Sequence, residues 1–131
     1  MITANALVCH AIGDYLLQSD WMANNKTTSS WPAAAHVLCY GLPFLFLTQA
    51  IPALLFIIGT HFIIDRWRLA RYVVWAKNWL APRQYRTPAW NACSKTGYPP
   101  DRPDWLVVWL LIIGDNVMHV LLNGVALTWL T

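Results

Sequence analysis

The sequence predicts an all-α protein: a four-helix integral membrane bundle whose third helix is extended by an amphipathic segment. Three observations predict it. The chain is 57% apolar and only 11% charged, whereas about a quarter of an ordinary soluble domain is charged. Its apolar residues gather into four runs. Its cations are segregated, with eight of the nine Lys and Arg between Arg66 and Arg102 and the ninth at Lys26. At 131 residues the chain reads as one transmembrane domain, 1–131.

The first span is expected over about residues 2–18, ended by the polar stretch QSDWMANNKTTSS. It lacks a basic leader and carries Asp14 in its apolar part, so it does not read as a secretory signal. The second span, about 32–49, contains Pro43 and should kink there. The third covers 53–66 and continues to residue 80, where Leu69, Val73, Ala76 and Leu80 recur at helical spacing. This part is expected to run along or out of the interface. A Pro-rich loop, 81–103, follows and is a candidate lid. The fourth span, 105–130, places Trp109 and Trp129 about 30 Å apart, one at each face of a bilayer. Spans one and three are short against the roughly 20 residues a crossing needs, and tilt or thinner lipid would accommodate them.

The basic stretch before span four should be cytoplasmic, which predicts a multi-pass protein of the inner membrane. Membrane lipids are then the expected partners. A nucleic-acid partner is not expected, because the basic stretch lies between two apolar segments. No feature specifies an oligomeric state. Cys9, Cys39 and Cys93 form no C-x-x-C and no even-numbered disulfide set.

Three pairs interrupt the apolar runs: His10 with Asp14, His61 with Asp65, and Asp115 with His119. Residues four apart share a helix face, so each pair offers an imidazole and a carboxylate to one neighbour. On the predicted topology all six, with His36, fall in the same leaflet. A carboxylate near the centre of a membrane helix costs on the order of 3 kcal/mol, so something should compensate. A divalent ion does so, and Zn²⁺ first, then Mn²⁺ or Fe²⁺, suits imidazole and carboxylate donors. The metal candidates are therefore His10, Asp14, His36, His61, Asp65, Asp115 and His119. Seven donors exceed the need of one zinc, which leaves two ions, or one ion with an outer shell of Asp–His hydrogen bonds.

With no Glu in the chain, a protein general base must come from the same set, so Asp14, Asp65 and Asp115 are the catalytic candidates. Gln18 and Asn123 extend two of the stripes by a turn, and Arg66 adjoins Asp65. These three are candidate substrate contacts, against the plainer roles of helix terminus, interhelical hydrogen bond and interface marker. Gly13 and Gly114, each just before an Asp, would allow close helix approach. Each His–Asp pair taken alone could be a local hydrogen bond, and an intramembrane Asp/His chain also suits a proton or ion path. Haem between two histidines fits poorly beside carboxylates.

The stretches HAIGDYLLQSDWMANNK, AAAHVLCYG, HFIIDRWRLARY and GYPPDRPDWLVVWLLIIGDNVMHVLLN carry an ordered H-x-x-G-D, H, H-x-x-x-D, D-x-x-x-H series. In this the chain resembles a family of small bacterial and phage membrane proteins known only as a domain of unknown function. It is more distantly similar to YdjM-like inner-membrane proteins described as metal-dependent hydrolases. The resemblance implies that the seven His and Asp residues are signature residues and that the site serves metal-dependent hydrolysis. The expected function is thus hydrolysis of a lipid or another substrate reached from the interface. The alternatives are conduction of protons or metal ions, or a phage-encoded membrane factor with a structural His/Asp network.

Overall fold

The computed structural model describes residues 3–131, and every regular element among them is helical. The start of the first expected span, Ile2, lies outside the described residues. α1 covers Ala4–Ala11, with the Thr3 side chain accepting from the Ala6 N–H at its N-terminus, and runs on into a π-helical turn, Ile12–Leu16. α2 is Asp20–Asn25, capped by Ser19. α3 is Ser30–Gly41 and tightens into a 3₁₀ turn, Leu42–Phe46. Pro43, which has no N–H to continue an α ladder, sits in that turn. α4 is Ile51–Trp67, α5 Ala70–Trp79, α6 Trp90–Cys93, and α7 Asp104–Trp129.

The expected long third helix is two helices. Arg68 between them has φ 52°, a left-handed conformation that ends an α-helix. In α5 the stripe predicted from spacing faces outward. Val73 and Leu80 are exposed, whereas Ala70 and Val74 are buried.

The chain divides into two compact units, where the sequence reads as one domain. The first comprises the residues up to Trp67 and Met118–Thr131, the second Arg68–Val117. In the second unit Val74, Tyr98 and Val107 form the core. The stretch 81–103, expected as an irregular loop, is folded there. The Arg71 guanidinium donates to Ser94 O (2.9 Å), and Trp75 Nε1 donates to Pro88 O (3.1 Å). The Tyr72 and Trp90 rings stack at 4.6 Å. Gly97, with φ +82°, lies against the Arg71 backbone where a Cβ would collide. These contacts tie the stretch down and remove the basis for a free lid.

The first unit buries polar groups beside its apolar core and exposes large apolar side chains. Its buried set includes His10, Asp14, His36, His61, Asp65, His119 and Asn123 beside an apolar cluster of Cys9, Tyr40, Phe44, Ala53, Ile57 and Ala126. Its outer face carries Leu38, Phe46, Ile51, Leu55 and Leu121. Phe46 is 92% exposed while His36 is 0% exposed.

Helix length corrects the expectation of four spans. Among the described residues one helix, α7, is long and apolar enough to cross a membrane. The 17 residues of α4 extend only about 25 Å, and α1 and α3 are shorter. The all-helical class stands, and a four-span bundle does not follow from helix length.

Candidate metal centre

His10 lies at the end of α1, and Asp14 lies in the π turn. There the Leu17 N–H reaches back five residues to Ile12 O at 3.0 Å. One-turn π insertions recur at functional sites because they re-aim a side chain without ending the helix. Gly13 lets this turn approach α3. A Cβ on it would stand 2.5 Å from the Tyr40 ring and 3.1 Å from Tyr40 Cα. Gly114, its expected counterpart, has open space at its Cβ position and makes no such approach.

His36 and Tyr40 lie one turn apart on α3, and His61 and Asp65 one turn apart on α4. Their polar atoms converge with those of Asp14. His36 Nε2 and His61 Nε2 are 3.0 Å apart. Asp14 Oδ1 is 3.3 Å from the first and 3.2 Å from the second. Asp65 Oδ2 is 3.1 Å from both. Donors around a tetrahedral zinc with bonds of 2.0–2.2 Å stand about 3.3–3.6 Å apart, so these five separations are close to, and slightly shorter than, ligand–ligand distances around an ion.

Protons alone serve these atoms poorly. A neutral imidazole has one N–H, yet His61 Nε2 faces three atoms at 3.0–3.2 Å. Asp14 Oδ1 is buried with no aligned hydrogen bond. A cation placed among these atoms would satisfy several of them at once, and the residue types fit one. Asp14, His36 and His61 form one group able to hold a metal ion; His61, Asp65 and His119 form another.

Ring geometry separates the two groups. The His36 and His61 planes cross at 63°, as two ligands of one ion can. His61 and His119 stack at 3.8 Å with only 14° between planes. An ion lies near the plane of each imidazole it binds, and stacked rings cannot share one. His119 is therefore an outer residue, with Nε2 3.5 Å from Asp65 Oδ1. His10 mirrors it, with Nδ1 3.4 Å from Asp14 Oδ2. Each carboxylate turns one oxygen to the centre and the other to an outer histidine.

Metal-bound histidines usually donate their second N–H to a partner, but here Nδ1 of both His36 and His61 is buried without one. Ring contacts hold His61 instead: it stacks on His119 at 3.8 Å and meets the Tyr40 ring, tilted by 39°, at 3.7 Å. The Tyr40 hydroxyl accepts from Asn123 Nδ2 at 2.6 Å and hydrogen-bonds His10 Nδ1 at 2.9 Å. Replacing Tyr40 by Phe keeps the ring and removes both bonds. The variant should lose about 1–3 kcal/mol, measurable by unfolding in mixed micelles, with zinc still bound. Complete loss of zinc would show that the hydroxyl does more than position His10 and Asn123.

The remaining candidates take other places. Asn123 belongs to the outer network through Tyr40. Gln18 donates to the Asp14 carbonyl (3.3 Å). Arg66 is committed to the loop before α3, donating to Thr27 O (2.7 Å), Thr28 O (3.3 Å) and Ser30 Oγ (3.3 Å). Asp115 is half-buried, belongs to the second unit, and joins neither metal-capable group.

Two residues escaped the sequence reading. Tyr40 had a usable signal, lying one turn after His36 on the same face. Lys26 had none, being a lone cation in a polar connection. Yet its Nζ donates to Asp65 Oδ2 at 2.8 Å.

No curated protein and no solved structure matches the chain. A family described as "Protein of unknown function (DUF3307)" matches residues 2–90. That segment contains all four converging donors, Tyr40 and Lys26, while His119 and Asn123 lie beyond it. With more than half of its length matched, the chain belongs to the DUF3307 family.

Proposed function

We propose that this protein is a membrane-embedded, metal-dependent hydrolase with one divalent ion, preferably Zn²⁺, at the His/Asp centre. The observation that carries the reading is the convergence of Asp14 Oδ1, His36 Nε2, His61 Nε2 and Asp65 Oδ2, with five separations of 3.0–3.3 Å, inside a unit that exposes many large apolar side chains. His36, His61 and Asp65 hold the ion, a two-histidine, one-carboxylate set of the kind that leaves a position open for substrate. Asp14 takes and returns the proton. It is the most exposed of the four donors, at 8%, and its inner oxygen has no hydrogen bond. The ion would supply Lewis acidity at the scissile group. Asp115 is outside this scheme.

Polar residues buried beneath an apolar exterior are the distribution a lipid solvent favours. With α7 crossing fully, the shorter α3 and α4 reach across by thinning the bilayer locally. The stretch from Arg66 to Arg102 then lies on the cytoplasmic side of the inner membrane, with the apolar stripe of α5 toward lipid. The substrate is a lipid or lipid-linked ester entering from the interface.

A second reading has its own support. Four donors are the number a structural zinc site uses, and such an ion could be held or passed on without catalysis. Protein purified without added metal is expected to carry one zinc per chain by elemental analysis. It should hydrolyse ester or phosphoester lipids in mixed micelles until treated with a chelator. Asp14→Asn should keep the ion and lose about 10²–10⁴-fold in rate. Fully loaded protein with no hydrolysis would favour the non-catalytic ion, and protein with no metal would end both readings.

A further inference from the structure

Lys26 is the one cationic side chain within hydrogen-bond reach of the centre among the described contacts. Its Nζ stands 2.8 Å from Asp65 Oδ2, the same oxygen that faces His36 and His61. It arrives from the edge of the site. The backbone N–H of Lys26 closes the end of α2 on Met22 O at 2.9 Å, and its side chain keeps 18% of its exposure. The next residues are fixed by Arg66, which holds the carbonyls of Thr27 and Thr28. The Lys26 side chain can therefore swing while its backbone stays in place.

We propose that Lys26 is a displaceable counter-ion that yields Asp65 to the metal and then binds a phosphate-type anion beside it. The inference rests on the metal reading above and adds a substrate class to it. Charge balance in a buried site drives the exchange. With neutral imidazoles, Asp14, Asp65 and Lys26 leave a single negative charge. Adding a divalent ion while Lys26 stays would leave a single positive charge, which is costly away from water. The ammonium and the ion also compete for one carboxylate oxygen. Released from Asp65, Lys26 remains at the mouth as an unpaired cation. A singly charged phosphate diester, from a lipid headgroup or a soluble ester, restores neutrality across ion, ammonium and the two carboxylates. A neutral ester would not. The site should thus prefer phosphoesters to carboxylic esters.

Zinc titrations of the full chain in neutral detergent test this, with and without inorganic phosphate. Lys26→Met should bind zinc at least about 10-fold more tightly than the unaltered protein. Its metal-free form should be less stable, because Asp65 loses its partner. Phosphate should tighten zinc binding to the unaltered protein and leave Lys26→Met unchanged. Lys26→Arg, which keeps the charge and is the safer variant to fold, should retain both the weaker affinity and the phosphate effect. Repeating the titration in nanodiscs of phosphatidylglycerol and of phosphatidylcholine identifies the source of the anion. Tightening only in phosphatidylglycerol assigns the headgroup, and tightening by free phosphate assigns a soluble ester. Zinc bound equally or less tightly by Lys26→Met overturns the exchange while leaving the metal centre standing. Tighter binding with no effect of any phosphate overturns the anion role. Failure of the unaltered protein to bind zinc overturns the metal reading and this one with it.

Discussion

His36→Ala and His61→Ala proteins should lose about 10²–10³-fold in zinc affinity. His10→Ala and His119→Ala should lose no more than about 10–100-fold. The larger figure follows from spreading a structural zinc site's roughly 10–16 kcal/mol over four donors, about 2.5–4 kcal/mol each. The smaller is the usual cost of removing an outer hydrogen bond to a ligand. The geometric basis is the contrast between crossed and stacked rings. His36 and His61 meet at 63° with their Nε2 atoms 3.0 Å apart, while His119 lies nearly parallel to His61 and His10 Nδ1 faces the outer oxygen of Asp14 at 3.4 Å. Competition with a chromophoric chelator measures the affinities. X-ray absorption on loaded protein supplies an independent readout, in which the inner variants lose a nitrogen from the first shell and the outer variants do not. Equal losses at all four histidines would mean that the centre is not organised as one ion with an outer ring.

Gly13→Ala should destabilise the protein by up to about 3 kcal/mol and disable the site with it. The added methyl would meet the Tyr40 ring at 2.5 Å and the Tyr40 backbone at 3.1 Å. Tyr40 is fully buried, packed on His61 and tied to His10 and Asn123, so it cannot yield cheaply. The turn carrying Asp14 must then back away from α3, lengthening the 3.2–3.3 Å approaches of Asp14 Oδ1 to His36 and His61. Unfolding in mixed micelles and zinc titration of the same variant should both report the loss. Gly114→Ala is the matched control, since its Cβ meets nothing within 4 Å. It should change both measurements little.

The helical class was legible because apolar runs and i, i+4 spacing are local properties. His36, His61, Asp65 and Asp14 were identifiable because a histidine or carboxylate in an apolar run is costly wherever the run lies. Other features depended on contacts that spacing does not encode. Arg68 adopts a left-handed conformation that its residue type does not predict, and it divides one expected helix into two. The outward face of α5 follows from burial of Ala70 and Val74 instead of Val73 and Leu80. Arg66 reads as an interface cation but is spent on the carbonyls of Thr27 and Thr28. Asp115 shares the spacing of the other pairs but joins neither metal-capable group.

By itself the sequence determined that this chain is helical, that its helices carry imidazoles and carboxylates at i, i+4 spacing, and that burying those groups is costly unless they find partners. Periodicity and the cost of burying charge suffice for that. Only the tertiary structure decided which donors are inner and which are outer, and that Lys26 joins them. Those outcomes depend on a π turn re-aiming Asp14, on Gly13 letting that turn reach Tyr40, and on Arg66 fixing a loop. The last two are contacts between residues far apart in the chain.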